Sequence, residues 1–388
     1  MSEGRRQIFN LSEAPDTDIC EATVPPLGDN FVSVCFSSSN EYTPILGTAV
    51  ESLVENTSGS EKYDIVILNR DISENNKAML RQIVAKKDNC HLRFMNIGNL
   101  VEGRSFYTWA HFTAFTYYRL LIPMLYARYK KVVYLDSDII VNHDIAELFH
   151  MDIGGFLLAA ARDTHVAGRM NLDCPWRDSY YQDELKAGPK DYFQAGVMLV
   201  NIEEFAKRYK GDALFQKAGE TKYRWLDQDF LNVECRGRVK HLPNYWNTMI
   251  INTPSKIDEE YLNCDLMEEY LAARKAPYII HYVGRSIPCY KPAADMYRYF
   301  WKYARNTPYY ELLLSIMVAE SEKRSHIRLV NESRRLREMI APHKKMTIKR
   351  CIKDKLIMPI VNVLLPRGSA RRAAVKRFYF KLRGFEIN

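Results

Sequence analysis

Residues 131–141 read KVVYLDSDIIV, and the fold follows from this stretch. Val132, Val133, Tyr134 and Leu135 form a short run of strand-favouring apolar residues that stops at two aspartates separated by one serine. Asp136 and Asp138 therefore sit where a buried strand surfaces. Open α/β sheets collect ligands at the carboxyl ends of their strands, and two carboxylates at this spacing converge on one hard cation carrying a diphosphate. An isolated Asp-x-Asp also opens ordinary turns, so the metal reading depends on other stretches.

Upstream, Phe31 to Phe36 (FVSVCF) reads as a buried strand, followed by SSSNEY and a helix with Ile45, Leu46, Ala49, Val50, Leu53 and Val54 on its apolar face. Tyr63 to Leu68 is a second strand, Ser73 to Val84 a helix with Ser73 as N-cap, and Leu92 to Ile97 a third strand. A helical stretch from about His111 through Tyr126 leads into the central strand. Beyond it, Phe156 to Ala161, Ala195 to Ile202 and Tyr278 to His281 read as strands, with helices near Glu203 to Tyr209 and Asp227 to Cys235. Such alternation predicts an α/β fold with a mixed, mostly parallel sheet and right-handed crossovers.

The 388 residues are 47% hydrophobic and 12% aromatic, ordinary for a folded globular chain and foreign to a disordered one. Eight scattered cysteines lack the spacing of a zinc ribbon or a disulfide framework. Residues 1–29 form a polar leader with no apolar core of the kind a signal peptide needs, which predicts a cytoplasmic protein with reduced thiols. Charge is uneven: Glu322 to Asn388 holds nineteen Lys and Arg against five Asp and Glu, a net +14, leaving −6 for the rest of a +8 chain. A basic end of this kind marks an interaction surface.

Five stretches in order, SSSNEY, YLDSDIIV, FQAGVMLVNI (193–202), LDQDFLN (226–232) and HYVG (281–284), make residues 30–305 resemble the family 8 glycosyltransferases. That family includes glycogenin and bacterial enzymes that extend lipopolysaccharide with galactose or glucose. The resemblance implies a Rossmann-like nucleotide-sugar-binding fold of the GT-A type. It also implies manganese-dependent transfer of a hexose from a UDP-sugar, with retention at the anomeric carbon. Asp136, Asp138 and His281 would then ligate Mn2+ or Mg2+, the imidazole favouring manganese.

The resemblance places Gln228 beside the sugar ring, where it would support an oxocarbenium-like cation during front-face attack, and Asp227 on the donor-sugar hydroxyls. Gln194 stands where the family has asparagine. Arg119 and Asp163 match residues around the sugar and phosphates, while Ala195 and Gly196 would let backbone approach the sugar. Ser38, Ser39, Glu41, Tyr42, Ser137, Gly284 and Arg285 complete the expected nucleotide-sugar set. Four positions depart from the pattern: Ser39 replaces an aspartate on the uracil, Glu41 the asparagine before Tyr42, Gln194 an asparagine, and Ile287 a lysine on the diphosphate, whose charge falls to Arg285 or Lys291. Base identity, sugar identity and competence turn on these changes.

In the tail, 306–388, an apolar run from Leu356 to Leu365 is broken by Pro359 and falls short of the roughly 20 residues that span a bilayer. Val375, Phe378, Tyr379 and Leu382 share one helical face among basic neighbours, a pattern suited to an anionic membrane surface. No nucleic-acid module accompanies the charge. Expected partners are thus a UDP-hexose, a saccharide or lipid-linked oligosaccharide acceptor, and the inner membrane face. Alternatives are a glycogenin-like enzyme that glucosylates its own tyrosine, a silent sugar-nucleotide-binding protein, and a phosphatase of the haloacid dehalogenase type. The last normally carries Asp-x-Asp in its first strand followed by Gly-Thr or Thr, whereas Ile139, Ile140 and Val141 follow here.

Overall fold

Residues 5–8, 19, 22–28, 30–108, 114–171, 174, 178–250, 261–284, 286–340, 369 and 371–372 are described by a computed structural model. The strands are β1 (Arg5–Ile8), β2 (Phe31–Ser37), β3 (Lys62–Asn69), β4 (Cys90–Asn96), β5 (Ser105–Thr108), β6 (Lys131–Leu135), β7 (Ile139–Val141), β8 (Leu158–Arg162), β9 (Phe193–Asn201), β10 (Val239–Leu242), β11 (Thr248–Met249) and β12 (Ile279–His281). Seven of them form one sheet in the order β10-β8-β9-β6-β2-β3-β4. Its pairings are parallel except where β9 runs antiparallel between β6 and β8. The sheet is therefore mixed and mostly parallel, as the alternation of elements predicts.

Side chains of the central strands alternate between two apolar layers, as the pleat requires. Val32, Val34, Phe36, Val133 and Leu135 pack on one side with Ile45, Leu46 and Val50 of the helix Thr43–Glu55. Cys35, Val66, Leu68, Val132 and Tyr134 pack on the other with Leu121, Ile122 and Tyr126. A sheet buried on both faces reads as continuous apolar runs, which is why these strands were legible.

Strand direction sets the position of the site. β2, β6 and β8 end at the same edge of the sheet, and β9, running the other way, begins there. A smaller sheet of order β11-β12-β7 completes this edge. Its register pairs His281 with Ile139, and the Tyr282 N–H donates to the Asp138 carbonyl at 2.9 Å, so β12 delivers the imidazole to the aspartates.

Several expectations shift. Residues 114–125 are not one α-helix: 3-10 turns cover Ala114–Leu121 and a short α-helix Ile122–Leu125 follows. Pro123, which lacks an N–H, stands at the start of that short helix and interrupts the i to i−4 ladder. The polar leader contains β1, which pairs antiparallel with β5. Further along it Ile19 and Val24 are buried in the core, and the Val24 N–H donates to the Leu125 carbonyl at 2.7 Å. Tyr309 and Leu313, beyond residue 305, also join the core.

The chain divides into two units, Met1–Ser321 and Glu322–Asn388. Within the second, the described part is chiefly the last turns of the helix Tyr310–Ile340. The apolar run at 356–365 and the face formed by Val375, Phe378, Tyr379 and Leu382 lie outside the described residues. Among the described residues no helix is long and apolar enough to cross a membrane.

Candidate active site

The apolar run of β6 ends at Leu135, and the Asp136 N–H donates to the Gly196 carbonyl at 2.8 Å. This bond holds the start of the Asp-Ser-Asp turn against β9. His281 Nε2 lies 3.2 Å from Asp138 Oδ1 and 3.8 Å from Asp136 Oδ2. One ligand atom from each of the three residues falls within 4.8 Å of the others, and no other His, Cys, Asp or Glu cluster of this kind occurs among the described residues. Burial pushes the His281 imidazole down, but the adjacent Asp138 and Asp136 carboxylates outweigh it and raise the ring above its ordinary value. Negative charge held this closely is what a cation would neutralise.

Gly196 is required by this cluster. A Cβ there would stand 2.3 Å from His281 Cε1 and 2.7 Å from Asp136 Oδ2. The space above this glycine is thus taken by the candidate ligands, whereas the family resemblance implies backbone approaching the sugar at this point. Gly196→Ala is expected to move the ligands apart and to destabilise the fold by about 1–3 kcal/mol, the range for overpacking a filled site. Urea denaturation and Mn2+ binding would check both effects.

Arg119 ties the Asp136 side of the site to the Asp227 side. Its guanidinium lies 2.9 Å from Asp136 Oδ1 and 2.9 Å from Asp227 Oδ2, donates to the Ala195 carbonyl at 2.6 Å and stacks over the Tyr134 ring at 4.8 Å. Tyr134 in turn donates to Asp136 Oδ1 at 2.8 Å. Burial disfavours the Arg119 charge, but the Asp136 and Asp227 carboxylates raise its pKa further above its ordinary value, so it stays cationic. Asp227 also accepts a hydrogen bond from the Thr116 hydroxyl.

Burial lifts the Asp227 carboxyl, and Arg119 and Thr116 pull it back only to about 6. The unfolded carboxyl ionises near 3.8, so between about 4 and about 6 the folded state retains a proton that the unfolded state has released. Stability therefore falls as pH rises through that window, by about 3 kcal/mol from this group. Urea unfolding of the metal-free protein between pH 4 and 7 should show the fall, and Asp227→Asn should lack this group's share of it, leaving that of the other buried carboxyls Asp163 and Asp229.

Asp227 and Gln228 project from the first turn of the helix Leu226–Glu234, and the backbone before them is strained. Leu226 is buried at φ +52°, a left-handed conformation that costs a non-glycine residue about 1–3 kcal/mol. Asp229 holds this turn by accepting from the Trp225 N–H at 2.7 Å, the Tyr180 hydroxyl at 2.8 Å and the Tyr192 hydroxyl at 2.5 Å. Gln228 is fixed at both ends of its amide. Its Oε1 accepts from the Ala195 N–H at 3.0 Å and its Nε2 donates to Asp163 Oδ2 at 3.1 Å. Asp163 also caps the helix Thr164–Met170, accepting from the Val166 N–H at 2.9 Å.

Gln194 Oε1 accepts from the Gly196 N–H at 2.6 Å and from Asn247 Nδ2 at 2.7 Å. Asn247 Oδ1 lies 3.1 Å from His281 Nδ1. Asn247, Thr116, Tyr134, Tyr192 and Asp229 were missing from the sequence-derived set. Asp229 was visible in LDQDF as a second acid, whereas Asn247 carries no local signal and is found only through the pairing of β11 with β12.

The remaining expected residues lie at the end of β2 and around Gly284. At the end of β2, the Ser38 hydroxyl donates to the Ser39 carbonyl at 3.1 Å, the Ser137 hydroxyl donates to the Ser37 carbonyl at 3.0 Å, and Glu41 is exposed beside half-buried Tyr42. Burial, then the Asp138 carboxylate, holds the Tyr42 phenol well above its ordinary value. Gly284 adopts φ +66° in an exposed turn, which explains glycine there. Arg285 lies outside the described residues. Ile287 is wholly buried in the core with Tyr282 and Cys289, so packing accounts for an apolar residue at this position.

The sequence profile described as "Glycosyl transferase family 8" matches residues 33–292. A Haemophilus influenzae protein provisionally named a glycosyltransferase is 28% identical over 260 residues, 65% of this chain and 71% of that one. The lipopolysaccharide 1,2-glucosyltransferase of Escherichia coli K12 is 23% identical over 201 residues, covering 51% of this chain and 53% of its own. Among solved structures, the apo form of the bifunctional glycosyltransferase WbbM superposes with a TM-score of 0.68 at 31% identity, over 76% of this chain. This chain spans 53% of WbbM, about half its length.

Proposed function

The chain belongs to glycosyl transferase family 8, with the GT-A fold of its structural relatives, and we propose that it moves a hexose from a UDP-sugar to a saccharide acceptor with retention at the anomeric carbon. The observation that carries this reading is the convergence of Asp136, Asp138 and His281 beside Arg119, Asp227 and Gln228 at one edge of the sheet. Two carboxylates and one imidazole suit Mn2+, with Mg2+ less favoured because it seldom takes histidine. The donor set fits such an ion: the three ligand atoms are already gathered, and the Cβ-free face of Gly196 leaves them room. A bound divalent ion would offset the charge that develops on the departing diphosphate.

The chain's own residues do the rest. Arg119 places a fixed positive charge between Asp136 and Asp227, where it screens these acids from each other and from an incoming diphosphate. Asp227, ionised above about pH 6, accepts hydrogen bonds from the donor sugar's hydroxyls. The tethered amide of Gln228 presents a dipole to the ring, supporting positive charge without the nucleophilicity of a carboxylate, which favours attack from the face of the leaving group. The lipopolysaccharide-directed relative and the +14 tail support a lipid-linked glycan acceptor at the cytoplasmic membrane face.

Incubation with a panel of UDP-hexoses and lipid-linked saccharides, followed by mass spectrometry and NMR of the new linkage, tests the proposal. Transfer with retained anomeric configuration that stops on adding EDTA is expected. Turnover indifferent to chelation, or an inverted product, would reject the proposed mechanism.

A further inference from the structure

We infer that Gln194 and Asn247 are positioning residues that keep a proton on Nδ1 of His281, so that Nε2 is the ring nitrogen left to give its electron pair to an ion held with Asp136 and Asp138. The inference rests on the proposed cation site and assigns to Gln194 a role other than contact with the sugar.

One group beside Gln194 cannot change its character. A backbone N–H is always a donor, and that of Gly196 points at the Gln194 side chain at 2.6 Å. The atom of Gln194 at this point must therefore be the carbonyl Oε1, not the amide nitrogen. The same Oε1 lies 2.7 Å from the Asn247 amide, so the end of Asn247 facing it must be the donor Nδ2. That leaves Asn247 Oδ1, an obligate acceptor, 3.1 Å from His281 Nδ1. Nδ1 must donate; without an ion Nε2 also holds a proton toward Asp138 Oδ1 at 3.2 Å, and a cation takes that proton's place while Nδ1 keeps its own.

Each alternative places like groups in contact. A proton on Nε2 alone sets the Nδ1 lone pair against Asn247 Oδ1. Turning the Asn247 amide to relieve this sets its oxygen against Gln194 Oε1, and turning Gln194 sets an amide NH2 against the Gly196 N–H. No water relieves these conflicts cheaply, because Gln194 is 7% exposed, Asn247 2% and His281 2%. The backbone supports the arrangement: Asn247 ends the turn Asn244–Asn247 and leads into β11, whose Met249 pairs with His281 of β12. A histidine ligand held through its second nitrogen is pre-oriented for its ion, and loss of such a partner lowers metal affinity by about 10- to 100-fold.

Two measurements test the inference, one of them on metal-free protein. Long-range 1H–15N correlation spectra of 15N-histidine-labelled protein at pH 7.5, with His281 assigned from the His281→Gln spectrum, should show Nδ1 protonated. Mn2+ affinity, read by electron paramagnetic resonance, should fall by about 10- to 100-fold in Asn247→Leu. It should fall less in Asn247→Asp, whose carboxylate still accepts from Nδ1 although its second oxygen then faces Gln194 Oε1. Gln194→Met should lose part of the affinity, because Asn247 is then free to turn. Circular dichroism establishes that each variant is folded.

An unprotonated Nδ1 in the wild type, or undiminished Mn2+ affinity in folded Asn247→Leu, would overturn the inference. Absence of Mn2+ binding by a wild type that shows protonated Nδ1 would instead reject the cation site while leaving the relay in place.

Discussion

Asp138→Ala should lower kcat/KM for UDP-hexose transfer by about a thousandfold, corresponding to about 4 kcal/mol of lost transition-state stabilisation, with the fold intact. Asp138 is the better target of the two aspartates because Asp136 also pairs with Arg119 and accepts from the Tyr134 hydroxyl, so truncating Asp136 disturbs packing as well as charge. Asp138 Oδ1 faces His281 Nε2 at 3.2 Å, and the side chain is only 14% exposed. Its removal deletes one oxygen of the proposed ligand set and leaves His281 tethered to Asn247. Thermal unfolding of the metal-free variant should match that of the wild type within a few degrees, which separates lost chemistry from lost structure. Mn2+ at millimolar concentration should not restore the rate. Equal turnover by this variant would remove Asp138 from the metal set.

Arg119→Met should destabilise the protein by about 3–5 kcal/mol, the range for removing one partner of a buried ion pair. Here one guanidinium serves two acids, each 2.9 Å away, and donates to the Ala195 carbonyl as well. Methionine matches much of the volume but leaves Asp136 and Asp227 facing each other without a cation. Arg119→Lys should recover part of the loss, since a single ammonium cannot reproduce a planar fork that reaches three acceptors. Urea denaturation at neutral pH checks both variants. A loss below about 1 kcal/mol for Arg119→Met would show that these acids find compensation elsewhere.

Legibility in the sequence followed burial. FVSVCF, YDIVIL and KVVYL were readable because both faces of those strands are covered, which forces continuous apolar runs. Ser73 was readable as an N-cap, and its hydroxyl accepts from the Asn76 N–H at 3.3 Å. β1, with sequence RRQI, gave no such signal, since its pairing with β5 is carried by backbone groups. β10, VKHL at the sheet's edge, is half-buried along most of its length and has too little apolar content to stand out.

The same division runs through the site. Asp136, Asp138 and Gln228 sit in motifs dense enough to read, whereas the partners that orient them are scattered. Asn247 reaches His281 only because a two-residue strand pairs in register, and Tyr192 reaches Asp229 across 37 positions of sequence. Gln194 was noticed as a departure from the family pattern, but its tie to Gly196 and Asn247 depends on tertiary placement. Ile287 was noticed in the same way, and its place in the core follows from packing that no local pattern encodes.

Calorimetric titration of UDP into the protein, once with Mn2+ and once with EDTA, tests the proposed joint cation and diphosphate site most directly. One Mn2+ per chain is expected, with UDP binding at least about tenfold tighter in its presence, a difference of about 1.4 kcal/mol that disappears in Asp138→Ala. UDP binding of equal affinity with Mn2+ and with EDTA would contradict a cation held by Asp136, Asp138 and His281.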